Sequence, residues 1–303
     1  MNFMLPACKI HSIMPKLTAK DRRLRLRKTL SGSKCINPIS VFDPVSARIA
    51  RSLDFEVAML AGSVTSAVVL GAPDIVVLTL SEFVEQARRI TRAADLSLIV
   101  DADHGYGNAL NVMRTVEELE HADISALTIE DTFLPKPFQQ TANQKLLGLE
   151  AMVSTLRAAL VARSDPSLVI IGRTAALGFE GIEETAKRVK AYSETGVDAI
   201  FLTNITKWEE LNTIRNFTDL PIMLGSTPEN MDDLEKLAEM GVRLALAGHT
   251  PFQASVKVIH EVMLHLKQGG SSRELQDKIA TPDLMGIATD EQYYTSLQKD
   301  FLE

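Results

Sequence analysis

Asp101 and Asp103 stand one residue apart in the stretch Leu98-Ile99-Val100-Asp101-Ala102-Asp103-His104-Gly105-Tyr106-Gly107. The apolar run ahead of them is too short for a helix and reads as a buried strand, where residues two apart share a face. Two carboxylates aimed alike repel unless a cation or a proton sits between them. The stretch therefore fits a divalent-metal site at a strand end, and it fits a capping turn equally well, since Asp and Gly favour turns. Other short apolar runs end in chemistry too. Glu130-Asp131 follows Ala126 to Ile129, Arg173-Thr174 follows Leu168 to Ile171, and Gly248-His249 follows Leu244 to Ala247. An oxygen-only set of Asp101, Asp103 and Glu130 suits Mg²⁺ or Mn²⁺, magnesium keeping several waters around one direct carboxylate. Arg173 is a fork of donors able to hold a substrate carboxylate and a developing oxyanion. The backbone N–H groups near Gly62 and Ser63 are open to close approach by an oxygen, because glycine has no Cβ. His249 can donate a hydrogen bond or carry a proton near neutral pH. Together these groups describe a site for a small, doubly anionic keto acid held at a metal. The structural alternatives are a plain buried Glu130–Arg173 ion pair and a histidine that only satisfies loop carbonyls.

The elements that must position these groups emerge from hydrophobic period. Eight short runs rich in Val, Ile and Leu occur: Pro38 to Phe42, Val57 to Leu60, Leu96 to Val100, Ala126 to Ile129, Leu168 to Ile171, Ala199 to Leu202, Pro221 to Leu224 and Leu244 to Ala247. Such runs suit strands buried on both faces. Between them lie segments of helical spacing: Ser81 to Ala94, Val112 to Leu119, Ile182 to Thr195 and Met231 to Met240. The last two stop at Gly196 and Gly241, which suit helix C-caps. Eight strands alternating with helices predict a (β/α)8 TIM-type barrel, whose active site lies at the C-terminal ends of the strands. The remaining runs also end in polar or glycine-rich groups: Asp43, Gly62-Ser63, Thr203-Asn204 and Gly225-Ser226-Thr227.

Three regions are expected. Residues 1–36 form an N-terminal arm and helix, 37–268 the barrel, and 269–303 a helical tail after a flexible Gly269-Gly270-Ser271-Ser272 joint, packed on its own barrel or on a neighbouring subunit. Thr18 to Leu30 carries six basic residues among three leucines, and reads as a solvated helix that packs by its leucines. A net charge of -7 gives no electrostatic reason to expect nucleic acid. No apolar run approaches the roughly eighteen residues of a membrane span. With no convincing signal peptide, the cytoplasm is the expected compartment. Cys8 and Cys35 are placed outside the core, so neither a disulfide framework nor a thiolate zinc site is implied. His104 reads as a loop anchor, His260 and His265 as surface residues, and Trp208 as packing.

The chain resembles the isocitrate lyase/phosphoenolpyruvate mutase superfamily, most closely its oxaloacetate decarboxylase branch. The likeness is carried by Val41-Phe42-Asp43-Pro44-Val45-Ser46-Ala47-Arg48, Ala61-Gly62-Ser63, Gly71-Ala72-Pro73-Asp74 and Leu78-Thr79-Leu80-Ser81-Glu82-Phe83. It continues through Asp101 to Asn108 and Leu127-Thr128-Ile129-Glu130-Asp131, spanning Ile39 to Leu266. The resemblance implies Mg²⁺ with Asp101 as direct ligand and Asp74, Asp103 and Glu130 in its water shell. It places Ser63, Arg173 and His249 where the decarboxylase branch binds oxaloacetate. It also implies a C-terminal helix swapped between subunits of a homodimer or homotetramer. Three departures stand out. The stretch Phe133 to Leu147 lacks the gate cysteine of the carbon–carbon lyases, Ala175 replaces a polar residue two after Arg173, and Gly225-Ser226-Thr227-Pro228 matches no family pattern.

The expected activity is Mg²⁺-dependent decarboxylation of oxaloacetate to pyruvate and CO₂ through a metal-stabilised enolate, with Arg173 and the N–H groups by Ser63 sharing the charge. His249 would orient the leaving carboxylate or deliver a proton. The alternatives are a carbon–carbon lyase or a phosphonate mutase or hydrolase of the same superfamily, Lys136, Gln139, Gln140 and Asn143 leaving the gate open to the mutase or hydrolase. A paralogue that binds a 2-keto acid without turnover is the other, motivated by Ala175.

Overall fold

The computed structural model describes residues 16–135 and 145–302. Residues 1–15 of the N-terminal arm, Cys8 among them, and Lys136, Gln139, Gln140 and Asn143 lie outside the described residues. Eight parallel strands run in chain order: β1 (Ile39–Ser40), β2 (Val57–Leu60), β3 (Ser97–Asp101), β4 (Ala126–Glu130), β5 (Val169–Thr174), β6 (Ala199–Leu202), β7 (Ile222–Leu224) and β8 (Val242–Ala245). Ile36, just ahead of β1, closes the ring. Its N–H donates to Arg243 O at 3.0 Å and its carbonyl accepts from Ala245 N–H at 2.9 Å. The (β/α)8 barrel predicted from period is therefore the fold. Each apolar run overlaps its strand; β3, β4 and β5 run on past theirs to Asp101, Glu130 and Thr174, and β8 starts two residues early at Val242.

The pleat explains what the strands deliver. Val57, Met59, Ile99, Ala126, Val169, Ile171, Phe201 and Leu244 pack into the barrel interior, while their neighbours face the surrounding helices. That phase carries Asp101, Glu130 and Arg173 inward at the strand ends, because each lies an even step from an interior residue.

The helices are α1 (Ala19–Ser31), α2 (Pro44–Ser52), α3 (Gly62–Leu70), α4 (Leu80–Ala93), α5 (Ala109–His121), α6 (Leu149–Ala162), α7 (Ala176–Phe179), α8 (Gly181–Ser193), α9 (Trp208–Arg215), α10 (Leu234–Glu239), α11 (Thr250–Lys267), α12 (Pro282–Thr289) and α13 (Glu291–Phe301). Gly196 (φ 97°) and Gly241 (φ 83°) take the left-handed conformation expected beyond a helix end. The predicted helix from Met231 to Met240 is shorter than its period suggested. Asp233 caps the backbone N–H groups of Glu235 and Lys236, so a 3₁₀ turn ends at Met231 and α10 starts afresh at Leu234.

Four other expectations need correction. α1 is not a solvated helix held by leucines alone. Leu26 and Leu30 enter the barrel interior from below, and Arg22 and Arg23 are buried with them. Arg23 donates to the carbonyls of Ile124 and Glu120, both at 2.9 Å, and Arg27 to those of Ser167 and Leu168. Those of Ile124, Ser167 and Leu168 lead into β4 and β5, and that of Glu120 lies in the last turn of α5, so the basic residues cap the barrel floor. Cys35 is buried in the core, where burial pushes its thiol up to about 11. His104 is not anchored through Nδ1, which is buried without a hydrogen-bond partner among the described residues. The glycine joint is a helix stop followed by a capped 3₁₀ turn, with Ser271 and Glu274 bonding each other's backbone. Beyond it α12 packs on α2 of its own chain, Arg48 donating to Ala288 O at 3.2 Å. Trp208 packs as expected, its Nε1 on Asn230 O and Lys236 Nζ 4.0 Å from its ring centre.

Candidate active site

A cleft of about 430 Å³ opens at the C-terminal end of the barrel, and Ser63, Asp74, Asp101, Asp103, Glu130, Arg173 and His249 all line it. Gly62 stands behind it, against Asp103: a Cβ there would lie 2.9 Å from Asp103 Oδ1, so only glycine leaves that carboxylate its place. All the sequence-predicted site residues therefore converge on one region. Asp43, grouped with them as a strand-end residue, is instead the N-cap of α2, accepting from Ser46 N–H at 2.7 Å.

Asp101 is the last residue of β3, and Asp103 lies beyond it in a left-handed turn (φ 48°) stiffened by Gly105 (φ 78°). The pleat thus cannot align the two carboxylates; the turn does. Asp103 N–H donates to Asp101 Oδ1 at 3.3 Å, and Asp103 O accepts from Glu130 N–H at 2.8 Å. The turn and the metal-type cluster are one structure rather than alternatives.

Arg173 spans the cluster. Its Nη1 is 2.5 Å from Asp101 Oδ2 and its Nη2 is 3.0 Å from Glu130 Oε2, with the Phe201 ring centre 5.2 Å from the guanidinium. Strand register puts Glu130 directly opposite Arg173. The buried ion pair is real, and its Nε is left buried without a hydrogen-bond partner. Thr128 Oγ1 donates to Asp101 Oδ1 at 2.9 Å. Asp101 Oδ1 thus accepts twice, from Thr128 and from Asp103, while Oδ2 accepts from Arg173 and keeps a further lone pair.

One guanidinium does not balance this much negative charge. Burial, then Asp101, Glu130 and Asp74, push the Asp103 carboxyl far above the usual carboxylate range, against a smaller pull from Arg173. Burial raises Glu130 as well, although Arg173 opposes it. Burial lowers Arg173, but Asp101 and Glu130 outweigh it and hold the guanidinium more firmly protonated than usual. Among the described residues no three His, Cys, Asp or Glu side chains are grouped so as to hold a metal ion by themselves. An all-oxygen donor set with surplus negative charge and open positions fits a hard dication that keeps its waters.

The metal-free protein is accordingly expected to lose stability as pH rises. Carboxyls raised on folding bind more protons in the native state than in the unfolded one, so the stability slope with pH is negative above the ordinary carboxylate range. Thermal melts in chelator from pH 6 to pH 8.5 should fall, and Mg²⁺ should recover most of the loss at the alkaline end. A flat chelated profile would contradict the charge surplus.

His249 stands at the head of α11, with Nδ1 3.0 Å from Ser40 Oγ. Burial holds its imidazole below its ordinary value, Asp101 and Asp74 pulling less strongly the other way, so the ring is neutral at neutral pH. The N-terminus of α3 at Gly62 and Ser63, with no side-chain cap among the described residues, adds N–H groups on the acidic side. Asp74 precedes Val76, whose φ of 60° is costly for a β-branched residue and marks a constrained loop.

Sequence reasoning missed Ser40, Thr128 and Phe201. Thr128 and Phe201 were findable by period, since each lies an even step from an interior residue. Ser40 was not, because nothing local links it to His249, 209 residues away.

Fold and site together define a barrel enzyme centre in which carboxylates, one arginine and one histidine face a common cleft. The chain belongs to the phosphoenolpyruvate phosphomutase family, whose model matches residues 26–267. It is 47% identical to an oxaloacetate decarboxylase of Rhodopseudomonas palustris (strain BisB18) over 90% of this chain and 94% of that protein. Among solved structures it is similar to 2,3-dimethylmalate lyase, a PEP mutase/isocitrate lyase superfamily member (TM-score 0.80, 29% identity, 94% of this chain and 100% of the other). It is also similar to phosphonopyruvate hydrolase in complex with oxalate and Mg²⁺ (TM-score 0.81, 25% identity, 95% and 100% covered). Among the described residues no helix is long and apolar enough to cross a membrane.

Proposed function

We propose that the protein is a Mg²⁺-dependent oxaloacetate decarboxylase, releasing pyruvate and CO₂. The observation that carries this reading is the carboxylate cluster bridged by Arg173 and faced by His249, in a chain nearly half identical to a protein of that name. Asp101 would hold the ion directly, with Asp103, Glu130 and Asp74 acting through its waters. The bound ion supplies Lewis acidity toward the keto acid's oxygens, and Mn²⁺ would serve the same donor set.

The chain's own residues do the rest. The Arg173 guanidinium, which lines the cleft, and the N–H groups at Gly62 and Ser63 would bind negative charge on the substrate. When the C3–C4 bond breaks, its electron pair passes into the C2 carbonyl and CO₂ departs. The enolate charge that results falls among these donors. His249, neutral and bonded at Nδ1 to Ser40, would present Nε2 to the departing carboxylate or relay to C3 a proton taken from water, which converts the enolate to pyruvate. No covalent nucleophile is needed, which agrees with a stretch from Phe133 to Leu147 that holds no cysteine.

The test is a substrate panel with Mg²⁺ beside a chelated control. Oxaloacetate turnover supports the proposal, whereas preferential turnover of phosphonopyruvate or dimethylmalate moves the chain to another activity of its family. Oxalate binding by calorimetry, with no turnover of any panel member, would make it a non-catalytic 2-keto acid binder.

We further propose a homo-oligomer, a dimer or a tetramer, in the cytoplasm. No described residue of α11 is buried, and Val256, Ile259, Met263 and Leu266 expose a continuous apolar stripe along it. A second copy of this chain, exchanging its C-terminal helical segment, would cover that stripe.

A further inference from the structure

Asp131 is wholly buried and takes no part in the cluster beside it. It stands next to Glu130, and Thr174 stands next to Arg173. On adjacent strands Glu130 and Arg173 point into the barrel and pair there, while the residues after them point outward and pair with each other. Thr174 Oγ1 donates to Asp131 Oδ2 at 2.6 Å, and Ala175 N–H donates to Asp131 Oδ1 at 3.1 Å. The same threonine oxygen accepts from Ala176 N–H at 3.1 Å, fixing the first turn beyond β5. The carboxylate is completed from the helix side by Tyr192 Oη at 2.8 Å and Arg188 Nη1 at 3.3 Å. Arg188 Nη1 also donates to Leu147 O at 2.9 Å, and Leu147 N–H to Asp131 O at 2.7 Å.

We propose that Asp131 and Thr174 are positioning residues: an outward latch across the ends of β4 and β5 that sets the separation of Glu130 and Arg173 on the inward face. The metal-facing role of Glu130 is taken from the function proposed above. β4 ends at Glu130 and the β4–β5 register ends at the Glu130–Arg173 pair, so beyond it β5 is tied by its ladder to β6 alone, and only the side-chain latch ties it to β4. A ligand carboxylate one residue along must be held within a few tenths of an ångström, and a neighbouring backbone lock with no exposed atom does so without touching the ligand. Four donors on one buried carboxylate leave it a single position, and that position dictates where both strands stop.

The test compares Thr174→Val, which removes the hydroxyl at nearly constant volume, with Thr174→Ser, which keeps it. Tyr192→Phe removes a donor from the same carboxylate on the helix side only. Mg²⁺ affinity by calorimetry, without substrate, is the first readout, and the split between kcat and KM for oxaloacetate is the second. Thr174→Val should weaken Mg²⁺ by about tenfold or more and lower kcat rather than raise KM. Thr174→Ser and Tyr192→Phe should stay close to the parent. If Thr174→Val does not fold, Thr174→Cys, with similar size and a weak donor, should show an intermediate loss of affinity. Parent-like Mg²⁺ binding in folded Thr174→Val or Thr174→Cys would overturn the latch, as would an equal loss in Tyr192→Phe. Because calorimetry needs no turnover, a parent protein inactive on oxaloacetate would sink the proposed function and leave the latch still decided by metal affinity.

Discussion

Arg173→Ala is expected to cut oxaloacetate turnover by about a hundred- to a thousandfold, the range seen when one oxyanion donor is lost from a dry site. The guanidinium is the only cation within contact of both Asp101 and Glu130 among the described residues, at 2.5 and 3.0 Å. Its removal has a second consequence that separates it from an ordinary binding defect. The carboxylates lose their counter-charge, which costs about 3–5 kcal/mol if they stay ionised. They take up protons instead, so the fall of stability with pH in chelator should steepen. Arg173→Lys should recover little turnover, because a point charge cannot fork two carboxylates across neighbouring strands. Steady-state kinetics with chemical denaturation at two pH values checks both parts. Turnover within tenfold of the parent would remove Arg173 from the chemistry.

Arg23→Ala, at the opposite end of the barrel, is expected to cost about 3 kcal/mol or more in stability and to leave kcat unchanged at a temperature where the variant is folded. Arg23 is 4% exposed, holds the carbonyls of Ile124 and Glu120, and pairs with Asp165 at 2.8 Å. Its loss leaves the buried Ile124 carbonyl without its side-chain donor, removes one of two donors from Glu120 O, and takes from Asp165 its cation. Lys20→Ala, in the same basic helix, should cost almost nothing, because that side chain is exposed. Urea midpoints of the two variants make the comparison, and equal shifts would contradict the floor-capping role.

Much of this architecture was legible because a parallel barrel repeats one signal. Short Val-, Ile- and Leu-rich runs alternate with helical spacing, and the site residues follow those runs at one end. Asp101, Glu130 and Arg173 could be placed from the strand period alone. Asp103 was found for an incomplete reason: the left-handed turn brings it to Asp101, so a turn signal and a metal signal that read as rivals in the sequence are both present. The role of α1 was hidden because charge patterning along a helix reports on water, whereas Arg23 and Arg27 bond carbonyls that lead into strands up to about 140 residues away. The same distance hid Ser40 behind His249 and Thr174 behind Asp131. Side-chain to backbone and side-chain to side-chain bonds of long range leave no period in a sequence. Cys35 was misplaced for a related reason, its burial arising from closure of the barrel near Ile36 rather than from an apolar run of its own.

The decisive measurement is pyruvate release from oxaloacetate, with Mg²⁺ and in chelator, against the uncatalysed rate at the same metal concentration. The expected result is a large enzyme-dependent excess with Mg²⁺ that disappears in chelator and in Asp101→Asn. No excess over the metal-catalysed background, or an excess that survives chelation, would contradict a decarboxylase built on Asp101, Asp103, Glu130 and Arg173.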